Sequence, residues 1–447
     1  MIEKYYSGVI EQIYNRIGKE TRNIVMANYS NDFSIENLEV IRRYQSNEDN
    51  VFFAYSEFSY NMLVGAYEPF LDIICNMHRR FIGGSFDDFQ KECGVYYLHR
   101  QVLNSYYETG ECFREETVLL NEVAYEQRRM TMAIADMLKK LSEVKPLMIV
   151  INRFQMASKS SIETIKYLID NPCTNIGIVL GVNAIVKGTD STVEVWDRIV
   201  ESLEDRSAIY YIGSAGPLKN NVKTTNDDEL YITMNFEQSI QEASNIMEFL
   251  DFEQARRGCR IIEHKLKFED AWIDEKSLRR FYMVYARTSV LLGEMSKAIE
   301  LTNEYKALIP ENDSEHYLSL YYFMKGTCYM YQGKLEKAGN SAKSAYDYAV
   351  LAEDDTLIFK AELLSVMIKM SGWYNIFFCV QDIPVSDEII EKLIKHGYRN
   401  HLAHIYIYAY DNSRDVVKQS FYDESLLKHF TKGLELAKEI GNEQLVY

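Results

Sequence analysis

The sequence predicts an α/β N-terminal module built on a parallel sheet, followed by an all-α solenoid. Two observations predict this architecture. In the first half of the chain, short apolar runs rich in β-branched residues alternate with helical stretches, which is typical of a parallel sheet covered by helices. Beyond Asn235 strand signals stop, and helices follow one another with short turns. We therefore expect two domains, at 1–235 and 236–447.

The predicted strands are short and apolar, and they comprise 22–28, 50–54, 147–151, 175–180 and 208–212. We expect the strand at 147–151 to lie beside the first strand in a doubly wound sheet. A helix is predicted at 34–44, because Ser34 is a good N-terminal cap. The segment between the second and third strands is helical in pattern, which predicts a helical insertion at 60–145.

Composition and charge exclude several classes of function. Of the 447 residues, 47% are hydrophobic and 26% are charged, which indicates an ordered protein, and the net charge of −17 disfavours nucleic-acid binding by this chain alone. The seven cysteines form no CxxC pair, which is typical of the reducing cytoplasm. No apolar run is long enough for a membrane span, and the N-terminus lacks the pattern of a signal peptide.

The second half contains a repeat of two helices. The segments FLDFEQARRG, LLGEMSKAIE and YQGKLEKAGN align with each other, and their matching alanines are Ala255, Ala298 and Ala338. Turn glycines recur at a similar spacing, at Gly293, Gly333 and then Gly372. Glycine lets the backbone reverse and alanine lets helices pack closely, so a repeat of this length predicts an α-solenoid.

These residues resemble tetratricopeptide repeats over 236–447. The best match is the third repeat, whose matching residues are Tyr322, Gly326, Tyr329, Gly333, Ala338 and Ala345. The fourth repeat is degenerate, since Phe377 stands where alanine is expected. The resemblance implies a concave surface that binds a protein or a peptide.

Residues 20–235 resemble the nucleotide-binding module of the STAND class of signal-transduction ATPases, which are related to AAA+ proteins. The segment LMIVINRFQMASKSSIETIKYLI is similar to the Walker B strand, the loop after it and the next helix. The resemblance implies a P-loop-NTPase-like fold. Large bacterial regulators of this class commonly join such a module to tetratricopeptide repeats.

The module departs from its family where the chemistry should be. The phosphate loop should read GxxxxGK[ST], but the corresponding residues are Tyr29, Ser30, Asn31, Asp32, Phe33 and Ser34. They include neither a glycine that lets backbone amides surround phosphates nor a lysine. Asn152 replaces the carboxylate that holds Mg²⁺, and Asn183 has no neighbouring arginine. The joint loss predicts a pseudo-ATPase that is not an enzyme and has no cofactor.

The sequence therefore predicts a non-catalytic regulatory or scaffold protein that binds a protein partner or effector through its repeats. The alternative is a divergent NTPase that acts as a nucleotide-dependent signalling switch, with its missing lysine supplied by a partner chain. Arg279, Arg287 and Lys325 are predicted to line the groove and to favour an acidic peptide. The histidines His401 and His404 have the spacing of a metal pair, but no third ligand follows them, so we predict no metal site. In this family an effector domain commonly follows the repeats, and the sequence shows none, which leaves open whether the chain is a fragment of a longer protein.

Overall fold

In the computed structural model, the described residues form two compact units. These residues are 2–21, 23–29, 38–46, 50–59, 63–183, 186–187, 190–205, 209–212, 223–224, 235–268, 273–312, 314–375, 387–409 and 424–446. The first unit comprises Met1–Val95, Val102–Phe113 and Glu122–Ala271, and the second comprises Tyr96–Gln101, Arg114–Asn121 and Trp272–Tyr447. The predicted boundary after residue 235 therefore falls within the first unit.

Five of the seven strands that the structure describes in the first unit lie close to the predicted apolar runs, whereas the two shortest match none of them. The seven strands are β1 (Ile24–Tyr29), β2 (Phe52–Glu57), β3 (Leu147–Asn152), β4 (Ile176–Asn183), β5 (Val186–Lys187), β6 (Ile209–Ile212) and β7 (Lys223–Thr224). Five of them form one sheet in the order β2-β3-β4-β1-β6, and every neighbouring pair is parallel. The short β5 and β7 pair separately. The prediction of a parallel sheet is confirmed.

The prediction that β3 lies beside β1 is wrong, because β4 lies between them. One helix joins β3 to β4, and such a short crossover usually places successive parallel strands side by side. β4 then pairs with β1 in the register of Ile178 opposite Ile24 and Val179 opposite Val25. The chain therefore leaves β1 toward one edge of the sheet and leaves β4 toward the other.

The helices of the first unit surround this sheet. They are α1 (Ile2–Tyr14), α2 (Glu39–Ser46), α3 (Phe70–Met77), α4 (Phe86–Glu92), α5 (Tyr97–Thr109), α6 (Val123–Val144), α7 (Lys159–Asp170), α8 (Asp190–Asp205), α9 (Phe236–Glu248) and α10 (Phe252–Phe268). The beginning of α5 belongs to the second unit. Helices α3 to α6 occupy the predicted insertion. Ser158 caps α7 by accepting a hydrogen bond from the N–H of Ser161, so this helix starts close to the predicted position.

One core lies between the sheet and its first two helices. Apolar residues recur at i, i+3, i+4 and i+7 in α1, and α2 adds Val40 and Ile41. The α1 residues are Tyr6, Val9, Ile10 and Ile13. They pack with Val25, Val150 and Val179 on one face of the sheet. All residues of β3 and β4 are buried, so both faces of the central strands are covered.

The regular elements that the structure describes in the second unit are all helices. Its helices are α11 (Glu275–Leu291), α12 (Met295–Ala307), α13 (Ser314–Tyr331), α14 (Leu335–Leu351), α15 (Asp355–Asn375), α16 (Asp387–Lys395), α17 (Arg399–His404), α18 (Glu424–Ile440) and α19 (Glu443–Val446). Successive helices from α11 to α15 pack against each other, and Ala298 and Ala338 are fully buried at these contacts. None of the helices that the structure describes, in either unit, is long and apolar enough to cross a bilayer.

Three turns in this unit share one geometry. Gly293 and Gly333 follow α11 and α13 in the left-handed conformation, with φ of 77° and 70°. The N–H of the next residue in each turn reaches back to a carbonyl in the last turn of the helix, which closes a Schellman motif. Glu353 does the same after α14, with φ of 52°. The predicted turn at Gly372 is wrong, because α15 runs through that residue.

Candidate functional site

The topology of the sheet points to a crevice at the carboxyl ends of β1 and β4. The connection that follows β1 runs to β2 at one edge, whereas the connection that follows β4 crosses β1 to reach β6 at the other edge. Ligands of open α/β sheets bind where neighbouring strands lead in opposite directions, because the loops separate there. The residues at the ends of β1, β3 and β4 are therefore the first candidates.

Neutral amide side chains occupy the ends of these three strands. Asn28 and Asn152 are fully buried, and Asn183 is 4% exposed. The N–H of Asn183 donates to Oε1 of Gln155, at 3.3 Å. Among the described residues, neither side-chain atom of Asn28 has a hydrogen-bond partner. A buried amide without hydrogen-bond partners lowers stability. Packing alone therefore does not explain why Asn28 stands at the end of β1, beside the proposed crevice.

The end of β3 is covered by the first helix of the chain. Gly181 of β4 lies between the two, and a β-carbon added there would clash with the Tyr6 hydroxyl and lie 2.6 Å from Oδ1 of Asn152. The hydroxyl group and the amide therefore meet above Gly181. The predicted Walker B position is thus a neutral side chain sealed inside the unit, where Mg²⁺ binding would need an accessible hard oxygen ligand.

The charges beside this position are paired with each other. Arg153 follows Asn152 in the left-handed conformation, with φ of 55°, and its guanidinium lies 3.4 Å from Glu57 at the end of β2. Glu57 also accepts a hydrogen bond from the Tyr55 hydroxyl. The carboxylate on the outer strand is therefore used in holding Arg153.

Only one of the six predicted phosphate-loop positions lies among the described residues. Tyr29 is the last residue of β1. Ser30, Asn31, Asp32, Phe33 and Ser34 lie outside the described residues.

The predicted groove cations differ in their surroundings. Arg279 is buried in the first turns of α11, where its guanidinium donates to the Leu308 carbonyl at 2.8 Å and lies over the Tyr317 ring. It supports helix packing. Lys325 is half-buried on α13 and donates to the Tyr321 hydroxyl at 2.8 Å, which raises the pKa of Lys325. Arg287 is half-buried on α11.

A buried polar network in the second unit was missed at the level of sequence. Glu116 is fully buried, and its Oε1 lies 2.6 Å from both the backbone N and Nδ1 of His401. Its Oε2 accepts the N–H of Asn400 at 3.1 Å. The side-chain oxygen of Asn400 accepts hydrogen bonds from the hydroxyl of Tyr96 and the amide of Asn442. The network ties two short segments of the first half of the chain to the C-terminal helices of this unit.

The histidine pair has a partner other than a metal. His401 contacts Glu116, and His404 is buried in the same helix. Within the part of the chain that the structure describes, no group of three histidine, cysteine or acidic side chains is placed to hold a metal ion.

We compared the chain with models of protein families, with curated proteins and with solved structures, and none of the three comparisons gave a match. The resemblance to STAND ATPases and to tetratricopeptide repeats therefore stays a prediction from residues and their spacing.

Proposed function

We propose that this protein is a non-catalytic regulator or scaffold, with a degenerate STAND-type ATPase module and helical repeats that bind a protein partner or effector. One observation carries the first part of the proposal, namely the burial of Asn152 under the Tyr6 hydroxyl at the end of β3. Phosphoryl transfer depends on Mg²⁺ and cations that balance charge on the phosphates. A sealed neutral amide at this position supplies neither.

The helical repeats are where we place binding. Buried alanines at matching positions and left-handed glycines after α11 and α13 support repeats of the tetratricopeptide type. Helix α13 carries half-buried tyrosines such as Tyr322 and Tyr329. Tyrosine combines a large contact area with a polar tip, so it is frequent at the centres of protein interfaces.

Phosphate release from Mg-ATP by the purified chain tests the first part. We expect turnover far below the range of about 1 per second and above that is usual for kinases. Turnover in that range would refute a non-catalytic role. Thermal melting with and without Mg-ATP separates the alternative, because a nucleotide-dependent switch would melt at a higher temperature when nucleotide binds its folded state.

The second part is tested by changing the groove cations that are not fully buried. We expect Arg287→Glu together with Lys325→Glu to weaken binding of an acidic partner, because both changes reverse charge on the proposed surface. Arg279→Glu is not a suitable variant, since that side chain is buried. Unchanged affinity, with helical content preserved by circular dichroism, would place the binding surface elsewhere.

A further inference from the structure

The segment Arg114–Asn121 lies within the second unit in the manner of a bound peptide. It belongs to no strand, yet its burial alternates from residue to residue. Arg114, Glu116 and Val118 are buried, whereas Glu115 and Thr117 are exposed. The backbone bends at Glu115 and Glu116 and enters a 3-10 helix at Leu120, so the segment presses these side chains into the unit as an irregular chain.

Side chains of the helices hold the backbone of the segment. The Tyr398 hydroxyl donates to the carbonyl of Glu115 at 2.6 Å. The N–H of Leu120 donates to the hydroxyl of Tyr331 at 3.3 Å. Capture of a backbone carbonyl and a backbone N–H by side chains does not depend on the sequence of the segment, so it can hold a peptide main chain in general.

Specificity within the segment comes from its buried side chains. The carboxylate of Glu116 is fully enclosed and meets two backbone N–H groups and the imidazole of His401. Two and three residues later, Val118 and Leu119 are 6% and 7% exposed. A charged group that is buried with several donors discriminates strongly, because any replacement leaves those donors without an acceptor.

We propose that 114–121 is a tethered peptide ligand, and that the surface formed by Tyr331, Tyr398, Asn400 and His401 also binds a partner in trans. The partner is a peptide with a glutamate followed two and three residues later by aliphatic side chains. This inference rests on the proposed function, and it names the partner class and its regulation. Because the segment belongs to the same chain as the surface, its binding is intramolecular, with an effective concentration on the order of 1 mM that a partner must overcome.

The test uses a fluorescent peptide, FREETVLLNE, which corresponds to residues 113–122, and fluorescence anisotropy with the full chain. The peptide should bind the Glu116→Ala chain about 100-fold more tightly than the wild-type chain, because the tethered segment of that variant has lost its anchor. A Glu115→Gln chain is the matched control, since Glu115 is exposed beside the anchor, and it should behave as wild type. A Glu116→Gln peptide should not bind. Equally weak binding of the peptide to all three chains would overturn the proposal.

Glu116→Ala can also unfold the second unit, so the wild-type chain provides an independent measurement. Several millimolar peptide should displace the tethered segment and speed hydrogen exchange at the N–H of Leu120, whereas the Glu116→Gln peptide should not. Unchanged exchange above the effective concentration would show that the segment is a permanent part of the fold. Phosphate release distinguishes the two proposals, because ATP turnover would refute the non-catalytic function without affecting peptide exchange.

Discussion

Changing Glu242 to glutamine is expected to stabilise the first unit above pH 7. Glu242 lies half-buried on α9 beside a second carboxylate, and the two meet next to Gly65. A β-carbon added to Gly65 would stand 3.0 Å from Oε1 of Glu242 and 3.3 Å from Oε2 of Glu68. Burial, together with the charges of Glu68 and Asp72, raises the pKa of Glu242 to about 7.

The magnitude follows from the shift in this pKa. The folded state holds the proton of Glu242 up to a pH of about 7, whereas the unfolded chain releases it near the ordinary value of 4.5. Folding therefore takes up a proton between these values, and the free energy of unfolding falls as pH rises through this window. At about 1.4 kcal/mol per pKa unit, ionised Glu242 costs up to about 3 kcal/mol above pH 7. Partial exposure makes this an upper bound.

Thermal unfolding between pH 4 and pH 8 is the assay. Glutamine is neutral throughout, so the variant should come closest to the wild type near pH 4, below the ordinary value of 4.5, and exceed it at pH 8, by about 2–4 °C in Tm for each kcal/mol. Glu237→Gln on the exposed side of the same helix is the control, and its difference from wild type should not change in this way. Parallel curves for Glu242→Gln and wild type would refute the reasoning, since they would mean that Glu242 ionises equally easily in both states.

Three further tests concern side-chain packing and backbone conformation. Gly181→Ala should destabilise the first unit by about 1–3 kcal/mol, and Tyr6→Phe in the same chain should recover part of the loss, because the hydroxyl is the nearest obstacle. Asn28→Val should raise the urea midpoint by removing a buried amide that has no hydrogen-bond partner among the described residues, with a gain of about 1–2 kcal/mol. Glu353→Gly should raise Tm slightly and Gly333→Ala should lower it by a shift that corresponds to about 1 kcal/mol, since both residues have positive φ; equal effects of the two would contradict this.

The sequence predicts the elements of the fold better than their arrangement. Strands such as β3 and β4 are buried on both faces, so they must be apolar along their whole length, and such runs are visible in any sequence. Their order depends on which helix crosses which strand, which no local pattern records. Helix α1 was missed, although Tyr6, Val9, Ile10 and Ile13 show the helical spacing, because the N-terminus was considered only as a possible signal peptide.

The turns show how a residue-specific rule fails. Glycine is the usual residue at a left-handed helix end, so the turns at Gly293 and Gly333 were predicted and are present. The turn after α14 uses Glu353, which carries a β-carbon and gives no such signal. The next glycine, Gly372, is predicted to form the following turn, but it lies inside α15.

The sequence predicts a candidate site residue only where one continuous segment contains the pattern that identifies it. Asn152 stands at the end of a recognisable strand, so its position was predicted from the sequence alone. The contact of Glu116 with His401 joins residues that are 285 positions apart. Neither residue has a neighbour that suggests the other. The spacing of His401 and His404 fits a metal pair, but the sequence predicts no metal site there and gives no pointer to Glu116. Conversely, Arg279 has the spacing of a groove residue, but it is buried and donates to the carbonyl of Leu308, just after the end of α12.

In the first unit, the residues that stabilise the sheet differ from the residues at the candidate site. Its stability comes from side chains in the middle of the strands, such as Val150 and Ile178, which are fully buried. At the carboxyl ends of the strands, Asn28 and Asn152 are fully buried, and a β-carbon added to Gly181 would clash with the Tyr6 hydroxyl. Under the proposed function, such a module keeps its sheet although the residues of phosphate chemistry are replaced, because the fold and the site depend on different residues.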